Sequence, residues 1–323
     1  MHTNPWFWII FNTGVLAVLA IDLLAFQRKA HAPSAKEAAI WTAVWLGLSL
    51  GFNGLILHWM GPGKALEFLT GYLVEYSLSV DNVLIFILIF SNFAVPIAYQ
   101  HRVLFWGVLS ALILRGIMVG IGAAVVAKLN LAFYVFGAFL IVMGAKMLFS
   151  GKEKVDIARN PILKLVRQIL PVTDAYHGER FSVHHEGRWM LTPLAMTLIM
   201  VEATDAIFAI DSIPAIFGIT RDPFIVYTSS VCAALGLRSL YFLLAGIIHR
   251  LAFMKYGLAI VLAFIGIKML LNEFYPIPTA ISLTVIGSIL LIAIGFSLLA
   301  KRQHSTTAGQ KPTSVSSQAT HAL

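Results

Sequence analysis

Cysteine is almost missing from this chain: Cys232 stands alone among 323 residues. No intramolecular disulfide and no CxxC pair can form, which excludes dithiol redox chemistry within the chain. Charge is scarce as well. Asp, Glu, Lys and Arg make up 12% of the residues, against about 25% in a soluble domain. With 59% hydrophobic residues, a soluble globular reading is excluded. Alternating strand patterns of about 10 residues are absent, which excludes an outer-membrane barrel. No basic stripe interleaved with aromatics accompanies the net charge of +8, so nucleic acid is not the expected partner. No Lys or Arg precedes the first apolar run, Trp6 to Phe26, so it lacks the charged start of a cleaved signal peptide and is read as a spanning helix.

What is present is a series of apolar runs, each of about 20 residues and long enough to cross roughly 30 Å of hydrocarbon as a helix. Nine spans are expected, at 5–26, 38–60, 66–90, 103–127, 130–149, 191–216, 224–247, 253–272 and 277–300. The fold class is therefore an all-α polytopic membrane protein, forming one transmembrane domain whose partner is the lipid bilayer. Of the 23 Lys and Arg, sixteen fall on one side of these spans: Arg28, Lys29, Lys36, Arg102, seven in the 150–190 loop, Arg250, Lys255, Lys301, Arg302 and Lys311. Only Lys64, Lys128 and Arg221 fall on the other. The asymmetry predicts a periplasmic N-terminus and a cytoplasmic C-terminus in a bacterial inner membrane.

Within the 150–190 loop, PILKLVRQIL (161–170) starts on a proline, with apolar residues on one face and Lys164 and Arg167 on the other. A short interfacial helix and a partly ordered basic loop both fit this pattern. From 303 to 323 the chain turns to Ser, Thr, Gln and Ala without apolar period, which predicts a disordered tail.

An internal repeat is visible at 66–149 and 191–272. VEYSLSVDNV (74–83) aligns with TDAIFAIDSI (204–213), matching Glu75 to Asp205, Asp81 to Asp211 and Asn82 to Ser212. The register continues through Arg115 and Arg238 to Lys146 and Lys268, in GAKML and GIKML. Under the expected topology the two three-helix units are inverted, the architecture of many secondary transporters, whose substrate sites lie near the midplane.

Glu75, Asp81, Glu202, Asp205 and Asp211 all fall inside spans, with Arg115 and Arg238 near the centres of theirs. Five acids facing lipid would cost on the order of 10 to 17 kcal/mol, so they are expected to face the bundle interior. Together with Asn82 and Ser212 they form an oxygen-donor set suited to Mg²⁺, Ca²⁺ or Mn²⁺ rather than to Cu(I) or Zn²⁺. Pro214 predicts a kink or break beside Asp211 that frees the Ile210 carbonyl; position 84, a leucine, gives the first repeat no such break. The alternative is that Asp81 and Asp211 only neutralise Arg115 and Arg238 in buried ion pairs. Five acids against two arginines leave a surplus of three negative charges, which a divalent cation or bound protons would balance. Exchange of protons for metal is the coupling this suggests.

Other polar features read as structural. His177, His184, His185 and His304 are taken as solvated, and Met196 and Met200 as packing that has a thioether role as its alternative. Gly47 with Gly51 and Gly116 with Gly120 fit close helix contact. Lys146 and Lys268 are expected to snorkel. No resident cofactor and no enzymatic role is expected.

EYSLSVDN (75–82) and VEATDAIFAIDSIPAIF (201–217), followed by LGLRSLYFLLAG and KYGLAIVLAFIGIKML, resemble the tellurium-resistance TerC family, in particular its Alx branch. The resemblance runs from about 38 to 300. It implies kinship with the lysine-exporter superfamily and manganese export, and more loosely tellurite resistance or alkaline response. The family's acidic positions fall on Glu75, Asp81, Glu202, Asp205 and Asp211. Tyr76 departs from the pattern, where lysine is expected, and removes a counter-charge beside Glu75. A manganese exporter is the leading expectation. An exporter of small organic cations or amino acids, and a membrane scaffold or redox modulator docking partners on the 150–190 loop, are the alternatives.

Overall fold

A computed structural model describes residues 5–26, 34–149, 161–173, 175–185, 187–245, 253–272 and 274–308. In lipid every backbone N–H and C=O has to be satisfied within its own segment, so the apolar runs become helices. In chain order these are α1 (Pro5–Phe26), α2 (Ala35–Met60), α3 (Pro62–Asn92), α4 (Ile97–Lys128), α5 (Asn130–Phe149), the short α6 (Pro161–Ile169), α7 (Pro193–Phe217), α8 (Pro223–Ala245), α9 (Met254–Leu271) and α10 (Thr279–Ala308). Eight of them are long and apolar enough to cross a membrane, and α1 has a shorter apolar stretch, Pro5–Ile21. The chain is an all-α polytopic membrane protein.

Local chemistry sets the helix starts. Pro62, Pro193 and Pro223 each occupy a first helical position, where the missing N–H costs nothing. Thr192 caps α7 by accepting from Ala195 N, and Asp222 accepts from Phe224 N at the start of α8.

The helices differ in burial according to position. Some 78% of the α8 span is buried, against 17% for α2 and 22% each for α5 and α10, so α8 runs through the core and the other three line the lipid boundary.

Close approaches fix the helix directions. Gly107 on α4 meets Val201 and Glu202, and Gly122, fifteen residues on, meets Phe217, so α4 and α7 run parallel. Gly71 on α3 meets Ser229 and Tyr76 meets Gly236, so α3 and α8 are also parallel. On α5, Gly137 meets Gly266 and Gly144 meets Ala259, so α5 and α9 are antiparallel. These last contacts are backbone to backbone: a Cβ at Gly144 would stand 2.6 Å from the Ala259 carbonyl oxygen, and one at Gly266 equally close to that of Gly137. The tight interface thus lies between α5 and α9, and the glycine pairs expected to make it do not. Gly47, Gly51 and Gly120 have nothing within 4 Å, and Gly116 only the Tyr227 ring.

Four further expectations change. Pro214 does not break α7, which continues to Phe217. It lies in the last turn, so removing one donor leaves the preceding ladder in place, and Gly218 N closes onto the Pro214 carbonyl. Lys268 does not snorkel: it is 6% exposed, with Glu67 the nearby charge, while Lys146 is exposed as expected. The helix α10 carries on through Ala308, past the expected start of the tail at 303; residues 309–323 lie outside the described set. Finally, the 150–190 loop contains the helix α6 and also starts a hairpin absent from the expectation, β1 (Ser182–His185) against β2 (Arg188–Leu191). Residues 150–160 of that loop lie outside the described set.

Candidate functional site

The centre of the bundle holds an ion-pair cluster made by four helices. Arg115 on α4, fully buried, donates through Nη1 to Glu75 Oε1 on α3 and to Ser230 Oγ on α8. Its Nη2 lies 3.6 Å from Asp205 Oδ1 on α7. Glu75 and Asp205 are themselves 1% and 3% exposed, so all three charges have left water. Such a group persists only where the charges compensate one another. One guanidinium is thus divided between two carboxylates that correspond in the repeat alignment. The ion-pair alternative set Asp81 and Asp211 against Arg115 and Arg238; Arg115 meets Glu75 and Asp205.

Compensation is incomplete. Glu75 Oε2, both Asp205 oxygens, Arg115 Nε, Glu202 Oε1 and Ser212 Oγ are buried without a hydrogen-bond partner among the described residues. Glu202 sits one turn before Asp205, half-buried, with Ser110 beside it and Oε1 lodged 3.4 Å from where a Gly107 Cβ would stand. Gly107 leaves room for the carboxylate. Glu202 and Asp205 share the wall of a small cavity of about 10 Å³, closed by Phe86, Leu104 and Leu237, room for one water-sized guest.

The remaining acids fall on two levels. Because α3 and α4 are joined by a short turn and α4 parallels α7, α3 and α7 are antiparallel, and Gly71 lies against Ile216. Four residues on from Gly71 is Glu75, and four back from Ile216 is Ser212, next to Asp211. Ten on is Asp81, and ten back is Ala206, next to Asp205. At 1.5 Å per residue the levels are about 9 Å apart. Glu75 with Asp211 and Ser212 occupies one, Asp81 and Asn82 with Asp205 the other, and Arg115 bridges them. Asp81 and Asp211 are half-buried, and Asn82 and Ser212 are buried. Arg238, the repeat mate of Arg115, is half-buried on α8.

The seven candidate oxygen-donor residues are thus spread over two levels. Among the described residues no three His, Cys, Asp or Glu side chains come close enough together to hold a metal ion. Ser230 is the residue missed. Its signal was the run Thr228, Ser229, Ser230 midway along an apolar helix, all fully buried. Met196 and Met200 pack with Phe86 and Leu104 in the apolar core, and His177 and His184 are exposed.

A charged centre inside a bundle of spanning helices defines a multi-pass integral membrane protein whose interior is built around ionic groups. The chain belongs to the integral membrane protein TerC family, whose profile matches residues 60–308 and so includes every residue of this centre. It is similar to the membrane protein STKORF319 of Myxococcus xanthus, 45% identical over 309 residues, covering 96% of this chain and 97% of that one. It is equally similar to a protein of Escherichia coli K12 provisionally named membrane-bound redox modulator Alx, 45% identical over 315 residues, with 95% and 98% covered. A membrane protein of Rickettsia bellii is 38% identical over 294 residues, with 91% and 97% covered. No solved structure matches the chain.

Proposed function

We propose that the chain exports a divalent metal cation, with Mn²⁺ as the favoured substrate, across the bacterial inner membrane. The observation that carries the reading is the uncompensated acid at the core: one arginine shared by Glu75 and Asp205, with Glu202 alongside and oxygens of all three lacking donors. Buried carboxylate oxygens without donors are ready acceptors for a hard cation or for protons. The two levels about 9 Å apart along the helices give a cation successive oxygen sites through the thickness of the bundle. A cation arriving at either level competes with Arg115 for a carboxylate, which couples occupancy to rearrangement of four helices. Protons leaving the carboxylates as metal enters supply the coupling ion.

Alternating access between inverted repeats fits the helix directions. The first helices of the two units, α3 and α7, are antiparallel, as are the third, α5 and α9, and each first helix runs parallel to the other unit's second. The positive-charge asymmetry favours a periplasmic N-terminus and a cytoplasmic C-terminus. A relation to the lysine-exporter superfamily would share this plan. Against an organic cation or amino acid as substrate stands the size of the cavity beside Glu202 and Asp205, about 10 Å³.

The provisional name of the Escherichia coli relative favours a second reading, a membrane-bound redox modulator. Cys232 is this chain's single thiol and is buried, so such a role requires a partner protein, docked on the 150–190 loop. Intracellular manganese separates the two. Under excess Mn²⁺, cells expressing Asp81→Asn or Asp211→Asn are expected to accumulate the metal and to stop growing where wild type grows. Equal metal content and equal growth would overturn the transport reading.

A further inference from the structure

The helices α5, α9 and α10 contain no Asp or Glu, although Lys146 lies on α5 and Lys255 and Lys268 on α9. A lysine of this group that is drawn inward has to find its carboxylate on another helix. Close approaches join the three helices into one packed unit. Besides the backbone contacts between α5 and α9, a Cβ at Gly257 would stand 2.6 Å from that of Ala293 on α10.

The helix α3 faces this unit. Short turns reverse the chain between α3 and α4 and again between α4 and α5, so α3 is parallel to α5 and antiparallel to α9. Val74, fully buried, belongs to the apolar cluster that holds Val261, Leu262 and Ile265, which sets the middle of α3 against the middle of α9. Seven residues to either side of Val74, on the same face of α3, stand Glu67 and Asp81. Seven residues before Leu262 is Lys255, and six after it is Lys268. The antiparallel register therefore levels Asp81 with Lys255 and Glu67 with Lys268, each pair about 10 Å from the apolar middle. The electrostatics agree, since the Lys255 charge acts on Asp81 and the Glu67 charge on Lys268. The two ends are not alike. Glu67 also meets Lys64 at 2.7 Å and accepts from the Thr220 hydroxyl at 2.5 Å, whereas Asp81 and Lys255 are both half-buried at the level of Asp205.

We propose that Lys255 is a positioning residue of the transport site: its ammonium compensates Asp81 while no metal is bound, and a divalent cation taking the Asp81 carboxylate displaces it and frees that end of α9. The inference rests on the transport reading and adds a residue of the second packed unit to it. An ammonium on a flexible four-carbon stem can leave a carboxylate that a divalent ion has taken, since the two cations repel one another. Glu67 and its partners hold the other end of α9, so the loosening is confined to one side of the membrane.

Mn²⁺ binding to the full chain in nanodiscs, read from the loss of the free-ion electron paramagnetic resonance signal, tests the competition, and hydrogen–deuterium exchange tests the release. Lys255→Met is expected to bind Mn²⁺ about threefold to tenfold more tightly than wild type, the worth of a half-buried ion pair that no longer competes. Lys255→Arg, which keeps the charge, should restore wild-type affinity. Lys268→Met removes a charge about 20 Å along α9 and should stay within about twofold. In the wild type Mn²⁺ should raise exchange over residues 254–262 and leave 263–271 unchanged, and in Lys255→Met the first segment should exchange fast with or without metal. Wild type that binds Mn²⁺ with no change in exchange at 254–262, or Lys255→Met that binds no more tightly, would overturn the inference and leave the transport reading standing. An equal gain in Lys268→Met would overturn it too, by tracing the effect to net charge. Wild type that binds no Mn²⁺ would end both.

Discussion

Replacing Arg115 by methionine separates a charge-compensated core from a merely polar one. Arg115 is 1% exposed, and the substitution removes the cation that faces Glu75 and Asp205 while keeping much of the side-chain bulk. Breaking a buried pair by deleting one partner costs about 3–5 kcal/mol, because the partner remains as an uncompensated buried charge. R115M is therefore expected to lose about that much in unfolding free energy, followed by tryptophan fluorescence during denaturant titration in mixed micelles. Neutralising the whole group in E75Q/R115M/D205N should recover most of the loss, since a buried ionic cluster replaced entirely is close to neutral in cost. Geometry also ranks the two acids. Glu75 accepts a direct hydrogen bond, whereas Asp205 stands at 3.6 Å, so a double-mutant cycle should give Arg115 the larger coupling with Glu75. An R115M protein within about 1 kcal/mol of wild type, or a triple variant no more stable than the single one, would refute the argument.

Two other expectations follow from neighbouring contacts. Glu202 makes no ion pair among the described residues and its Oε1 has no donor, so Glu202→Gln should unfold within about 1 kcal/mol of wild type while abolishing Mn²⁺ efflux from loaded vesicles; retained efflux would remove Glu202 from the pathway. At the α5 and α9 interface, Gly144→Ala or Gly266→Ala puts a methyl 2.6 Å from a carbonyl oxygen and should cost about 1–3 kcal/mol, whereas Gly47→Ala, in open space, should stay within about 0.5 kcal/mol, both read by thermal unfolding.

The spanning helices were legible because a run of apolar residues leaves the backbone one solution in lipid, whatever the neighbours are. The acids were legible as interior residues for a similar reason: a charge inside a span has nowhere inexpensive to go except inward. Which charge meets which is a different kind of question. Asp81 and Glu75 are six residues apart on one helix, turned about 120° from one another, and only the placement of α4 and α8 decides that Glu75 meets Arg115 and Ser230. The same holds for the glycines. Gly47 with Gly51 has the spacing of a packing motif, yet α2 turns that face to lipid, while Gly137 and Gly144, seven apart, carry the contact because α9 lies there. Spacing along a helix specifies a face, and tertiary packing chooses among faces.

Pro214 and Lys268 show how position within an element changes what a residue does. A proline removes one donor wherever it stands, but in the middle of a helix the lost bond separates two ladders, and three residues from the end it separates almost nothing. Lysine at a helix end snorkels when water is the nearest polar medium. On α9, Glu67, which meets Lys64 at 2.7 Å, supplies a negative charge nearby, and Lys268 is buried while Lys146, its match in the sequence alignment, is exposed. Two lysines matched in the sequence alignment thus differ in their surroundings. Arg115 differs in the same sense, since it holds the acids of both units at once. In the export cycle proposed above, such differences would separate the two end states in energy, and the shared guanidinium is where a bound cation would act on that balance.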